Sequence, residues 1–369
     1  MEAWALVMFA VAVALLLLGF PVAFTLGAVA LLFGGTFLGL DFFDLLPLRI
    51  WGIMTNFTLL AVPLFVFMGV ILEKSGLAED LLETMGLLFG RVRGGLAVSI
   101  VVVGALLAAT TGVVGATVVT MGIIALPALL KHRYHPALAT GTIAAAGTLG
   151  QIIPPSIILI LLGDVIGVPV GRLFIAAVTP GLLLILLFMA YVLLVAWLRP
   201  RHAPPVEAAQ LAGSGRGLLR RVFISLVPPL LLVVAVLGSI FFGIASPTES
   251  AAAGALGAMV LAALHRRMTL GHLREAMRHT TRLTSMVFLI LIGATAFGLV
   301  FRGMGGDMLV EDLMSALPGG EWGFLAVSML LIFVLGFFLD FLEICFIVVP
   351  ILAPIAAYLG IDLLWFAVL

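Results

Sequence analysis

The chain has 369 residues, of which 64% are hydrophobic and only 10% charged, and its formal net charge is zero. Soluble domains carry roughly a quarter of their residues as charged side chains, so this composition excludes water as the only solvent and places the chain in lipid. Zero net charge gives no ground for a nucleic-acid partner, and a single cysteine, Cys345, excludes a disulfide within the chain.

The first apolar run begins at residue 3, and Glu2 is the only charge before it. A cleavable signal would carry Lys or Arg there, so this run reads as a retained first helix. Further apolar runs follow at 22–40, 57–73, 94–110, 112–130, 137–153, 156–163, 173–198, 222–243, 246–264, 283–301, 323–339, 341–358 and 363–369. A span needs about 20 apolar residues, and several runs are too short or too close to a neighbour to be independent spans. The stretch 94–130 is interrupted by Thr110, Thr111, Gly112, Val113, Val114 and Gly115, which reads as a helix break. The stretch 137–163 holds two halves joined by Pro154-Pro155. Its second half is too short to cross alone and is expected to form a re-entrant hairpin, tolerated only where buried in protein or lining a wet cavity.

A basic linker at 201–221 separates an expected first membrane repeat, 1–200, from a second, 222–369. Arg199, Arg201, Arg216, Arg220 and Arg221 cluster around it, and 265–282 is also basic. Both are expected to be cytoplasmic, and the acidic loop 303–322 to lie on the opposite side. Lys131, His132 and Arg133 also read as cytoplasmic. Counting crossings from there to Arg199 gives the wrong parity, so one long run is either a broken single span or an interfacial helix.

The two halves share an internal pattern. Gly19-Phe20-Pro21 matches Ala245-Ser246-Pro247, and Gly69 matches Gly293. Leu96-Ala-Val-Ser99 recurs as Leu325-Ala-Val-Ser328, and Pro127 matches Pro354. The order and near-constant spacing of about 227 residues carry the inference. A counterpart of Pro154-Pro155 would fall beyond Leu369, so the expectation is that the C-terminus is truncated or that a second hairpin is lacking.

Broken helices expose free N–H groups at one half-helix and free carbonyls at the other. The first attract anions and the second cations, and secondary transporters place such breaks near the midplane of two repeats. The candidate substrate and ion residues are therefore Thr110, Thr111, Gly112, Gly115 and Thr117 at one break. At the hairpin tip they are Gly147, Thr148, Gly150, Pro154, Pro155 and Ser156. In the second half they are Asp340 and Glu343, ionisable groups inside an apolar run at a spacing that shares one helix face. Gly104 and Gly254 read as close-packing positions, and Glu249 as a helix cap before anything else. All six histidines lie in polar loops. No metal-ligand pair, nucleophile elbow or Walker loop occurs, so an enzyme is not expected.

With Gly19-Phe-Pro-Val-Ala-Phe24, Pro63-Leu-Phe-Val-Phe-Met-Gly69, Gly141-Thr-Ile-Ala-Ala-Ala-Gly-Thr-Leu-Gly150, Ile153-Pro-Pro-Ser-Ile157, Gly243-Ile-Ala-Ser-Pro-Thr-Glu-Ser250 and Leu339-Asp-Phe-Leu-Glu343, the sequence resembles the large membrane subunit of the tripartite ATP-independent periplasmic (TRAP) transporters. The resemblance implies an all-α, multi-pass integral protein of the bacterial inner membrane, built from two repeats, expected to be inverted, with elevator-type architecture. It implies sodium as coupling ion with no other cofactor, and an organic-acid substrate: a C4-dicarboxylate, an oxo or hydroxy acid, or a sialic acid. The implied partners are a small four-helix membrane subunit, a periplasmic solute-binding protein and membrane lipid. A stand-alone ion-coupled anion carrier of related design is the alternative, with an intramembrane enzyme or channel behind it.

Overall fold

The computed structural model describes residues 1–111, 114–206 and 218–369, and every regular element among them is helical. In chain order the helices are α1 (Glu2–Leu17), α2 (Val22–Phe37), α3 (Leu46–Met54), α4 (Ala61–Lys74), α5 (Leu77–Phe89), α6 (Gly95–Thr111), α7 (Val114–Lys131), α8 (Pro136–Thr148) and α9 (Ile157–Ile166). There follow α10 (Val170–Leu198), α11 (Leu218–Phe241), α12 (Pro247–Leu264), α13 (Leu270–Gly303), α14 (Gly306–Ser315), α15 (Gly320–Leu335), α16 (Phe341–Tyr358) and α17 (Leu363–Val368). Among the described residues, α10, α12, α13 and α16 are each long and apolar enough to cross a bilayer, and the pair Leu40–Met54 with Thr58–Lys74 makes a fifth candidate. Leu182, Leu183, Leu186, Leu187, Leu194 and Trp197 of α10 are all exposed. An apolar helix with an exposed apolar surface of that extent is solvated by lipid, as the composition requires.

The chain packs as two compact units. Unit 1 is Met1–Leu59, Leu161–Pro169 and Arg282–Leu369, and unit 2 is Leu60–Ile160 and Val170–Thr281. Each unit draws on both halves of the chain.

Close approach of small residues builds unit 2. Ala251, Ala255, Ala258 and Ala262 are buried along α12, which packs on α4. A Cβ on Gly254 would lie 2.7 Å from Met68 Sδ, so this glycine sets the helix separation, as expected. Ser246 and Glu249 form a capping box at the start of α12, which satisfies otherwise orphaned amides and places Glu249 where the sequence puts it. In unit 1, Gly293 of α13 meets the backbone of Ala23 of α2, with the Ala23 carbonyl oxygen 2.6 Å from where a Cβ would stand.

The element order recurs. A left-handed residue precedes or follows matching helices at Gly19 and Gly243, Gly76 and Gly305, Gly94 and Gly319, and Arg133 and Gly360, at spacings of 224, 229, 225 and 227 residues. Ser99 and Ser328 are both fully buried, and Pro127 and Pro354 both lie inside helices. Thus α5–α6–α7 is echoed by α14–α15–α16, element by element.

Backbone hydrogen bonds and packing also order the elements of unit 2 between residues 94 and 203. In unit 2, Gly94 N–H donates to the Ala203 carbonyl (3.1 Å) and His135 N–H to the His202 carbonyl (2.9 Å). The start of α6 and the end of α7 therefore meet the same short segment, and α6 packs on α7. The outer ends of α6 and α7 thus lie side by side. In contrast, α10 runs antiparallel beside α8, with His202 at His135, and Leu184 and Phe188 against the cluster that holds Leu149. Gly181 lies at Ile153. Helices α8 and α9 are separated by the break at Leu149–Ser156, where the sequence places the tip of the expected hairpin.

Candidate functional site

Helices α6 and α7 both meet the end of α8 within unit 2. A Cβ on Gly104 of α6 would stand 2.7 Å from Ala146 Cβ, and one on Gly147 of α8 would stand 2.4 Å from Val118 Cγ2 and 3.2 Å from the Val118 backbone nitrogen. Helix α8 thus ends in a groove between α6 and α7. Val101, Ala105 and Leu149 close the next layer against Ile153, Leu184, Ile185 and Phe188.

The break itself is ordered by its own hydrogen bonds. Thr148 ends α8 with its hydroxyl donating to the Ala145 carbonyl (2.8 Å), and it is exposed. Leu149–Gln151 forms one 3-10 turn, whose Leu149 carbonyl accepts from both Ile152 and Ile153 N–H (3.1 and 3.0 Å). A cis Pro154–Pro155 bond follows, and Gly150, Pro154 and Pro155 are buried. Ser156, with no exposed surface, donates from Oγ to the Gln151 carbonyl and accepts from Leu159 N–H at 3.5 Å. Its hydroxyl ties the end of the first half to the first turn of α9. Carbonyl ends of one half-helix and amides of the next therefore lie within a few residues of each other, a geometry suited to a cation on one side and an anion on the other.

Of the predicted residues at the other break, Thr117 is buried near the start of α7. Thr110 and Thr111 close α6 and Gly115 opens α7, and their side chains lie outside the described ones. Gly112 lies outside the described residues altogether. The structure brings Thr117, Gly147 and the tip into one region of unit 2.

Asp340 and Glu343 belong to unit 1. They lie where α15 gives way to α16. Trp322 and Phe324 at the start of α15 make ring contacts with Trp365 and Phe366 of α17, so this pair also returns to its starting face. The two carboxylates do not project side by side from a continuous helix. They form a capping box: Asp340 accepts from Phe341 N–H (2.8 Å), and Glu343 accepts from Asp340 N–H (3.0 Å). The π-helical turn Ile344–Val348 follows directly, a feature frequent at functional sites.

Asp164 is the residue that sequence reading missed. Its signal was an acid inside the apolar run Ile157–Ile166. In unit 1 the Asn56 side-chain amide donates to Asp164 Oδ1, and Thr58 N–H donates to Asn56 Oδ1 (2.9 Å). The pair lines a cavity of about 520 Å³ with Arg49, Thr295, Arg302 and Glu311. Among the described residues no group of three or more His, Cys, Asp or Glu could hold a metal ion.

The sequence matches, over residues 9–369, the family described as the DctM component of tripartite ATP-independent periplasmic transporters. It is 34% identical to the C4-dicarboxylate TRAP transporter large permease protein DctM of Pseudomonas aeruginosa, over 86% of this chain and 73% of that one. It is 31% identical to the sialic acid TRAP transporter large permease protein SiaM of Vibrio cholerae, over 96% of this chain and 82% of that one. It is also 31% identical to the ectoine/5-hydroxyectoine TRAP transporter large permease protein UehC of Ruegeria pomeroyi, over 95% and 81%. The all-helical architecture, the apolar spans and these matches agree: the chain belongs to the TRAP transporter large permease family.

Proposed function

We propose that this protein is the large membrane subunit of a sodium-driven system that takes up a carboxylate-bearing organic solute across the bacterial inner membrane. It receives the solute from a periplasmic solute-binding protein and works beside a small membrane subunit. The carrying observation is the packing of the end of α8 on α7, Gly147 against Val118 next to the buried Thr117, beside the break that Ser156 orders. Carbonyls and hydroxyls there suit sodium, and the first amides of α9 suit a carboxylate. The Asp340–Glu343 tip of α15–α16 is the proposed counterpart in the second half, its carboxylates acting by fixing the tip. The recurrence of element order supports two repeats, which we read as inverted and as working by an elevator motion.

Dicarboxylates, sialic acid and ectoine appear in the names of relatives. All three compounds bear a carboxylate, which is the chemistry that a half-helix N-terminus recognises. The test is uptake in proteoliposomes holding this chain and its small subunit, with the loaded binding protein outside. An inward sodium gradient is expected to drive saturable uptake. Equal uptake without sodium would overturn the reading, and uptake that needs no binding protein would favour a stand-alone carrier.

A further inference from the structure

A second feature of unit 2 lies apart from the break. Helices α6, α8 and α10 border a cleft of about 780 Å³ whose walls are Val101, Leu138, Ala145, Phe188, Val192 and Val195. The α10 wall runs from Phe188 to Leu198, about 15 Å at 1.5 Å per residue, half of a hydrocarbon core of about 30 Å, with Arg199 and His202 just beyond it. One end is apolar. The other end carries His135, Arg199 and His202, and no carboxylate is among the lining residues.

The basic end is built rather than incidental. The imidazoles of His135 and His202 stack with centroids 4.4 Å apart and planes 9° from parallel, held by the backbone hydrogen bond between the same residues. Partial burial, then the charges of His135 and Arg199, hold the His202 imidazole below its ordinary range. Part-way down the wall, Thr142 is 6% exposed and its Oγ1 has no hydrogen-bond partner. A buried hydroxyl in that state calls for an acceptor. Nearby Gly141 faces open space, with no atom within 4 Å of where a Cβ would stand.

We propose that this cleft is a binding site for one anionic glycerophospholipid. An acyl chain lies along Phe188, Val192 and Val195, an ester carbonyl accepts from Thr142, and the phosphate sits on Arg199 and the stacked histidines. Length, charge and the order of groups from mouth to depth match that ligand class. The neighbouring basic residues, Arg91, Arg93, Lys131, Arg133 and Arg201, place the mouth at the cytoplasmic leaflet by the positive-inside rule, where anionic lipids concentrate and where basic pockets between spans bind their head groups.

The experiment is native mass spectrometry of the full chain, purified in non-ionic detergent and titrated with dioleoyl-phosphatidylglycerol or dioleoyl-phosphatidylcholine. One phosphatidylglycerol is expected to be retained in preference to phosphatidylcholine. Arg199→Gln should weaken it about fivefold, the worth of one basic residue near an anionic surface. Gly141→Leu extends a side chain into the open space, its Cβ meeting nothing within 4 Å, so it should abolish retention while leaving the thermal midpoint at or above that of the parent. Equal retention of the two lipids would overturn the proposal, as would undiminished retention in Gly141→Leu. Competition by inorganic phosphate alone would mark a simple anion site and also overturn it. So would exclusion of phosphatidylglycerol when the small membrane subunit is bound, which would make the cleft a protein interface.

Discussion

Replacing Gly147 by alanine puts a methyl group where no methyl fits. The new Cβ would stand 2.4 Å from Val118 Cγ2, 3.1 Å from Val118 Cα and 3.2 Å from its nitrogen. Rotation of the Val118 side chain relieves the first contact but not the two backbone ones, so α8 must move away from α7. Overpacking of this kind costs about 1–3 kcal/mol, set against a gain of up to about 1 kcal/mol for alanine over glycine in a helix. Gly141→Ala on the same helix meets nothing and isolates the propensity gain. The difference between the two variants, read from thermal unfolding in detergent by circular dichroism, is therefore expected to be about 1–3 kcal/mol. Because the displaced contact lies between α7 and the end of α8 beside the proposed site, sodium-driven uptake should fall in Gly147→Ala and persist in Gly141→Ala. Val118→Ala should recover part of the stability by removing the closest atom. If the two glycine variants were equally stable and equally active, the α7–α8 contact would not be what positions the site.

Three further outcomes follow from single groups. Ser156→Ala removes the hydroxyl that bridges Gln151 and Leu159 and should cost about 0.5–2 kcal/mol, as for other caps, with a larger fractional loss of uptake than of folded protein; uptake tracking folded protein alone would confine Ser156 to a structural role. Asn56→Ala should destabilise by about 1–3 kcal/mol, because it leaves the Asp164 carboxylate without its donor. Asn56→Asp should be worse, since it places two carboxylates together, and parental stability in Asn56→Asp would remove the importance given to the pair. Glu343→Gln keeps an oxygen that can accept from Asp340 N–H, so the cap and the half-saturating sodium concentration should both persist, whereas Glu343→Ala should lose about 0.5–2 kcal/mol. A raised half-saturating sodium concentration in Glu343→Gln would instead give its charge a direct part in ion binding.

Much of the architecture was legible in residue order. Gly104 and Gly254 are close-packing positions because apolar neighbours leave room only for hydrogen, and the pattern Ser-Pro-Thr-Glu at 246–249 reads directly as a cap. The repeat is legible through Ser99 and Ser328 and through Pro127 and Pro354, and the left-handed residues at matched spacing extend it. Run length alone does not distinguish a hairpin from a broken span: a short apolar run such as 156–163 reads the same either way. Charge adds a separate signal, since Arg91 and Arg93 precede α6, and Lys131 ends α7 with His132 and Arg133 just beyond it. Asp340 and Glu343 were readable as residues of a break, but their capping geometry was not, because an i, i+3 acidic pair has the same spacing on a helix face as across a helix start. Asp164 shows the converse: its partner Asn56 lies 108 residues earlier, a separation that no local pattern contains.

The central claim, coupled carriage of sodium and a carboxylate solute, is tested most directly by following labelled sodium and labelled solute together in proteoliposomes carrying this chain and its small subunit. Sodium entry is expected to rise only when solute-loaded binding protein is added outside, to saturate with it, and to fall with solute entry in Ser156→Ala. Sodium entering freely without solute would describe a channel, and solute entering without sodium would contradict the coupling.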